Sequence, residues 1–187
     1  RRLTRGQALA AYGAAELGIA AYGVLFPLLF SAVRAAAHRA PDSLALDLAV
    51  TAALIGLPTF LMGATIPLLT TAMPETQREV DAAHARLYGI NTLGAALGAL
   101  TAAFVLIPGL GLSKSLWLAS ALDAAAAATA FALAANWWRL RTATDTETAT
   151  GPVPATQAPL PNALIYALVF ASGASAIALE TILVRLV

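Results

Sequence analysis

Cysteine is absent from this 187-residue chain, histidine occurs only twice, and charged residues make up 11% of it, against about 25% in an ordinary globular protein. Each shortage excludes something. Without cysteine there is no disulfide scaffold and no thiolate metal site. His38 and His84 lack companion ligands at metal spacing, so no metal and no cofactor is expected. Eleven Lys and Arg against ten Asp and Glu leave a net charge of +1, too little for the basic stripe that phosphate recognition requires, and nucleic acid is excluded as a partner. A soluble domain is excluded as well, because 59% of the residues are apolar and the mean hydropathy is +0.76.

The apolar residues lie in long unbroken runs. A hydrocarbon core of about 30 Å takes about 20 helical residues to cross, and five stretches meet that length: Gln7 to Val33, Leu44 to Ala72, Leu87 to Ile107, Ser113 to Trp138 and Asn162 to Leu186. Unpaired backbone amides in lipid are costly, and the runs lack the alternation of a strand barrel, so they are read as helices. The fold class is therefore all-α, a polytopic transmembrane bundle with membrane lipid as its surroundings. Arg1, Arg2, Arg5, Arg78, Arg86, Arg139 and Arg141 fall on one side, and Arg34, Arg39, Lys114 and Arg185 on the other. The bias places the amino terminus in the cytoplasm. Trp137 and Trp138, followed by Arg139, read as an interfacial anchor.

The segment 139–161, rich in Thr, Pro and Ala, reads as a cytoplasmic linker between a four-helix portion, 1–138, and a further helix, 162–187. Glu75 to Arg86 reads as a surface segment on the inner side. With no initiating Met and a last helix that stops at Val187, the chain is expected to be a fragment, without a removable signal peptide.

Polar residues inside the spans are the candidates for chemistry: Glu16, Asn91, Asp123 and Glu180, with Arg185 near the end of the last run. At about 1.5 Å per residue, Glu16 lies roughly 13 Å from the inner end of its helix and Asp123 roughly 15 Å from the outer end of its own. Both fall near the midplane, where an acid costs about 2.5 to 3.5 kcal/mol to insert. They read either as a cation or proton site or as neutral acids bonded to nearby backbone or hydroxyl groups. Glu180 and Arg185, five apart, form at best an imperfect local pair, and Arg185 can extend to the headgroups. Asn91 is expected to bond across a helix contact.

Pro58 and Pro67 each remove an amide and leave the carbonyls of Leu54 and Gly63 without their helical partners. A kink is expected there, repaired by Thr59, Thr65 or water, with exposure of the carbonyls to a substrate as the alternative. Gly94 and Gly98, with Gly89 and Asn91 a turn earlier, make a small-residue face for helix packing. The turn Pro108-Gly-Leu-Gly-Leu112 lacks the strand and third glycine of a nucleotide loop.

Three stretches together, Leu57-Pro-Thr-Phe-Leu-Met-Gly-Ala-Thr-Ile-Pro-Leu-Leu69, Leu87-Tyr-Gly-Ile-Asn-Thr-Leu-Gly-Ala-Ala-Leu-Gly98 and Ile107-Pro-Gly-Leu-Gly-Leu112, resemble the membrane portion of bacterial fused spermidine synthase-like proteins. The likeness covers residues 7 to 138. The run Ala171-Ser-Gly-Ala-Ser-Ala-Ile-Ala-Leu-Glu-Thr-Ile-Leu-Val-Arg185 is similar to the helix that opens each membrane repeat of that family. The chain departs from the familiar form in its fourth helix, where Ala124 to Ala128 stand in place of bulkier residues.

This resemblance implies a bacterial inner-membrane domain that anchors a soluble aminopropyltransferase domain lying beyond Val187, with polyamine as the small molecule handled. The parent protein would be a transferase, but no catalytic residue falls within this chain. Glu16, Asp123 and Glu180, acids within the spans without basic partners at their depth, are expected to line a cavity for polyamine or protons. The rival expectation is a pure transporter of the major-facilitator type moving a small cation or a proton-coupled substrate. A third is a module that only packs against partner helices through Gly94 and Gly98.

Overall fold

The computed structural model describes residues 3–37, 43–72, 77–147 and 162–184. Among them the chain is all helical: α1 (Arg5–Ala37), α2 (Leu44–Thr71), α3 (Gln77–Thr101), α4 (Ile107–Leu110), α5 (Leu112–Glu147) and α6 (Asn162–Val184), with a π-helical segment, Ala102–Leu106, joining α3 to α4. Five spans are long and apolar enough to cross a bilayer, the third running through α3, the π segment and α4. This is the build of a multi-pass membrane protein. Phe60, Phe104 and Leu44 are about three-quarters exposed, as side chains facing lipid would be.

Local signals account for the helix ends. A capping box opens α1: the Thr4 amide donates to Gln7 Oε1 at 2.9 Å, and the Gln7 amide donates to Thr4 Oγ1 at 3.4 Å. At the far end of the third span, an ordinary α-turn would press the Pro108 ring against the carbonyl of Phe104. The backbone is wound more widely at that point, over Ala102–Leu106, before α4 begins. Gly111, at φ 78°, then takes a conformation that side-chain-bearing residues avoid, and its amide caps the carbonyl of Ile107 at 3.0 Å.

Two expectations from the sequence change in detail. The segment expected on the inner surface is largely the opening of α3, which runs without a break from Gln77 into the membrane span. The expected linker is helical in its first part, because α5 continues past Trp138 to Glu147, while residues 148–161 lie outside the described residues.

The helices run alternately up and down. α1 packs chiefly on α5, α3 chiefly on α6, and α5 meets α6, so that α1, α5 and α6 enclose the centre while α2 lies outermost. Apolar packing divides into two clusters, one at each end. The first gathers Leu9, Tyr12, Leu69, Leu87, Ala130, Ile165 and Val169 at the Arg5 end. The second gathers Ile19, Phe26, Leu54, Leu116, Leu179 and Ile182 at the Ala37 end. Along α1, α5 and α6 alike, buried polar residues lie between these clusters.

Candidate functional site

The polar residues between the apolar clusters form one layer. α1 contributes Glu16, with Tyr12 one turn before it; α5 contributes Asp123 and Ser120; α6 contributes Ser172 and Ser175. Glu16 is 0% exposed and Asp123 1%, so neither carboxyl reaches lipid or water. A helical spacing of four puts Tyr12 and Glu16 on one face of α1, and a spacing of three does the same for Ser120 with Asp123 and for Ser172 with Ser175.

Hydrogen bonding in this layer is incomplete. The hydroxyls of Tyr12 and Ser172 are the polar groups set against the Glu16 carboxyl, yet neither carboxyl oxygen makes a hydrogen bond, and the Tyr12 hydroxyl, Ser120 Oγ and Asp123 Oδ2 are also unpartnered. None of the groups acting on the two acids is basic. Ser175 stands beside Asp123, but its hydroxyl already donates to the carbonyl of Ala171 at 2.8 Å. Ser175 therefore offers Asp123 only lone pairs, and a bond between them needs the proton to come from the acid. Ser172 has no such commitment among the described residues, and its hydrogen is available.

Ser172 also lines a second feature. A cavity of about 260 Å³ opens between α2, α3 and α6, bordered by Thr59, Gly63, Thr65, Asn91, Ser172 and Glu180 among others. On α2 and at Glu180 its polar groups are acceptors, while the amide of Asn91 and the hydroxyl of Ser172 can also donate. Thr59 donates its hydroxyl hydrogen to the carbonyl of Ile55 at 2.8 Å, and Thr65 donates to that of Met62 at 2.7 Å. Both hydroxyls keep only lone pairs for a ligand. Pro67 supplies no amide to the carbonyl of Gly63, and among the described residues no side chain takes its place. Asn91 makes no hydrogen bond among the described residues and turns Oδ1 toward the backbone of Gly173. Half-buried Glu180 adds the carboxyl.

The expected repair of the prolines is therefore different. Thr59 and Thr65 bond to Ile55 and Met62, not to the freed carbonyls. Leu54 is reached instead by the hydroxyl of Tyr22 on α1. α2 remains one helix through Pro58 and Pro67. Asn91 sits at the α3–α6 contact without bonding across it. Gly94 and Gly98 hold that contact: a Cβ on either would run into the backbone carbonyl of Phe170 or Ala174. Gly89, read as part of the same face, has open space around it.

Of the residues singled out in the sequence, the structure brings Glu16 and Asp123 into one buried layer and Glu180 and Asn91 to one cavity. Arg185 lies outside the described residues. Glu16 and Asp123 are not among the residues lining the cavity that Glu180 borders. Glu180 borders the cavity, the other two sit in the layer beside it, and Ser172 belongs to both. Tyr12, Tyr22, Ser172 and Ser175 escaped the sequence reading. The spacing of Tyr12 from Glu16 was a usable sign; nothing local marked the other three. Comparison with family models, with curated proteins and with solved structures finds no match for the chain.

Proposed function

We propose that this chain is the membrane domain of a spermidine synthase-like protein, which holds a soluble aminopropyltransferase domain at the bacterial inner membrane and admits a polyamine into the cavity between α2, α3 and α6. One observation carries the cavity reading. The lining combines a carboxyl, two hydroxyls whose hydrogens are already engaged, and Gly63, whose carbonyl Pro67 leaves without a helical amide, with Asn91 and Ser172 as the groups that can also donate. The acceptors of such a surface suit an ammonium group with its several N–H donors. Glu180 supplies the charge.

The anchoring half rests on the resemblance in α2, α3 and α6, and the cytoplasmic placement of the Arg5 end rests on the bias of basic residues. Reading the gene beyond Val187 checks it, with a Gly-rich α/β domain as the expected result.

Binding of spermidine to the chain in nanodiscs tests the cavity. Glu180→Gln is expected to weaken binding at least about tenfold, corresponding to about 1.4 kcal/mol; unchanged affinity rejects the site. The transporter reading draws on the interrupted hydrogen bonding of α2 beside the cavity. Spermidine flux into liposomes separates the two readings, since an anchor with a binding cavity gives binding without flux.

A further inference from the structure

We infer that a diamine entering the cavity expels one proton from Glu16, so that binding of the cation and ionisation of the buried layer are a single coupled event passing through Ser172. This inference rests on the reading of the cavity as an amine site and adds to it a proton stoichiometry and a preference for dications.

The argument begins with charge. A diamine carries two ammonium groups, and among the described lining residues the cavity offers one carboxyl, that of Glu180. In a low-dielectric surrounding a second positive charge needs a second negative one. The nearest source is the buried layer, whose acids have no basic partner. An acid buried without a countercharge keeps its proton until a cation arrives to replace it.

Geometry then chooses between the two acids. Asp123 faces Ser175, whose hydrogen is held by Ala171, so Asp123 is the donor in that pair and retains its proton. Glu16 faces Ser172, whose hydrogen is free and which lines the cavity. Glu16 passes its proton to the Ser172 oxygen while Ser172 releases its own hydrogen to water in the cavity. Glu16 is left as a carboxylate, and one proton leaves for each diamine bound. Other groups do not intercept it. Among the described residues, the titratable neighbour from α1 is Tyr12, from α5 it is Asp123, and from α2, α3 and α6 no titratable group acts on Glu16. Tyr12 and Glu16, fully buried and without hydrogen bonds, are poised to accommodate the new charge, since the Tyr12 hydroxyl can donate to the carboxylate once it forms.

Isothermal titration of the full chain in nanodiscs with 1,4-diaminobutane, in buffers of different ionisation enthalpy, counts the protons. About one proton released per diamine is expected for the wild type, none for Glu16→Gln, and an undiminished count for Asp123→Asn. The wild type alone gives a second readout. Its affinity for the diamine should rise about tenfold per pH unit wherever one proton is exchanged, while 1-aminobutane should bind without that slope. Ser172→Ala should keep the count and slow the release followed by a pH-sensitive dye, and an unchanged rate takes Ser172 off the route. Diamine binding with no proton released, or release that persists in Glu16→Gln, overturns the coupling and leaves the amine cavity standing. Failure of the diamine to bind at all overturns both.

Discussion

The hydroxyl of Tyr22 donates to the backbone carbonyl of Leu54, the carbonyl that Pro58 leaves without a helical amide. A side chain of α1 thus supplies the donor that α2 lacks, at a depth where an open carbonyl cannot turn to water. Tyr22→Phe is expected to destabilise the bundle by about 1 kcal/mol, the scale of interhelical hydrogen bonds in membranes. Pro58→Ala restores an amide to Leu54, so the same tyrosine substitution in that background should cost close to nothing. Reversible unfolding in mixed micelles measures both steps. Equal costs in the two backgrounds would show that Tyr22 does not act through this carbonyl.

Close approach of α3 to α6 depends on two glycines. A Cβ at Gly94 or Gly98 meets backbone carbonyls of Phe170 and Ala174, and backbone cannot step aside as a side-chain tip can. Gly94→Leu and Gly98→Leu should each separate the helices and lower the thermal midpoint by several degrees. Gly89→Ala, placed in open space, should leave it unchanged or raise it, because alanine gains up to about 1 kcal/mol in a helix. Circular dichroism melting in detergent compares the three. Equal sensitivity at all three positions would contradict this packing.

Pro67 leaves Gly63, which borders the cavity, without its amide partner. Pro67→Ala should close that hydrogen bond, withdraw one acceptor from the ligand and weaken spermidine binding by a few-fold, with stability held or improved. Equilibrium binding together with the melting curve makes the test. Loss of affinity accompanied by loss of stability would point to disruption of α2 instead.

Between α1 and α5, the place of a Cβ on Gly23 is occupied by the hydroxyl of Ser120. Gly23→Ala should destabilise the bundle by about 1 to 3 kcal/mol as an overpacked contact. Ser120→Ala should recover part of that loss by removing the clashing oxygen. Because Leu179 Cδ1 also lies 2.9 Å from the place of that Cβ, recovery should be incomplete. Additive effects of the two substitutions, measured by unfolding, would refute the contact.

Much of the architecture was legible without coordinates, since each span is a matter of local composition. Five apolar stretches appeared at the places where α1, α2, the α3–α4 span, α5 and α6 lie. The ends were harder to read. α5 runs beyond Trp138 because Arg139 to Glu147 contains no proline or glycine to stop it, although its Thr and charged residues read as a linker. The acids stood out because charge in an apolar run is conspicuous. Ser172, Ser175, Thr59 and Thr65 did not, because a hydroxyl in a membrane helix commonly bonds to its own backbone. Their importance lies in which hydrogens are spent.

The sequence by itself determined that this chain is built of membrane-length helices and that Glu16 and Asp123 sit deep within them, because the length of an apolar run and the rise per residue are enough to set depth. Tertiary structure decided which of these residues meet. Depth along a helix says nothing about the direction a side chain takes around its axis. That direction is set by packing against other helices, through contacts such as Gly94 with Phe170 and Tyr22 with Leu54, which join residues far apart in the chain. Rotation therefore placed Glu180 at the cavity between α2, α3 and α6, Glu16 in the buried layer beside it, and Ser172 at the boundary between them.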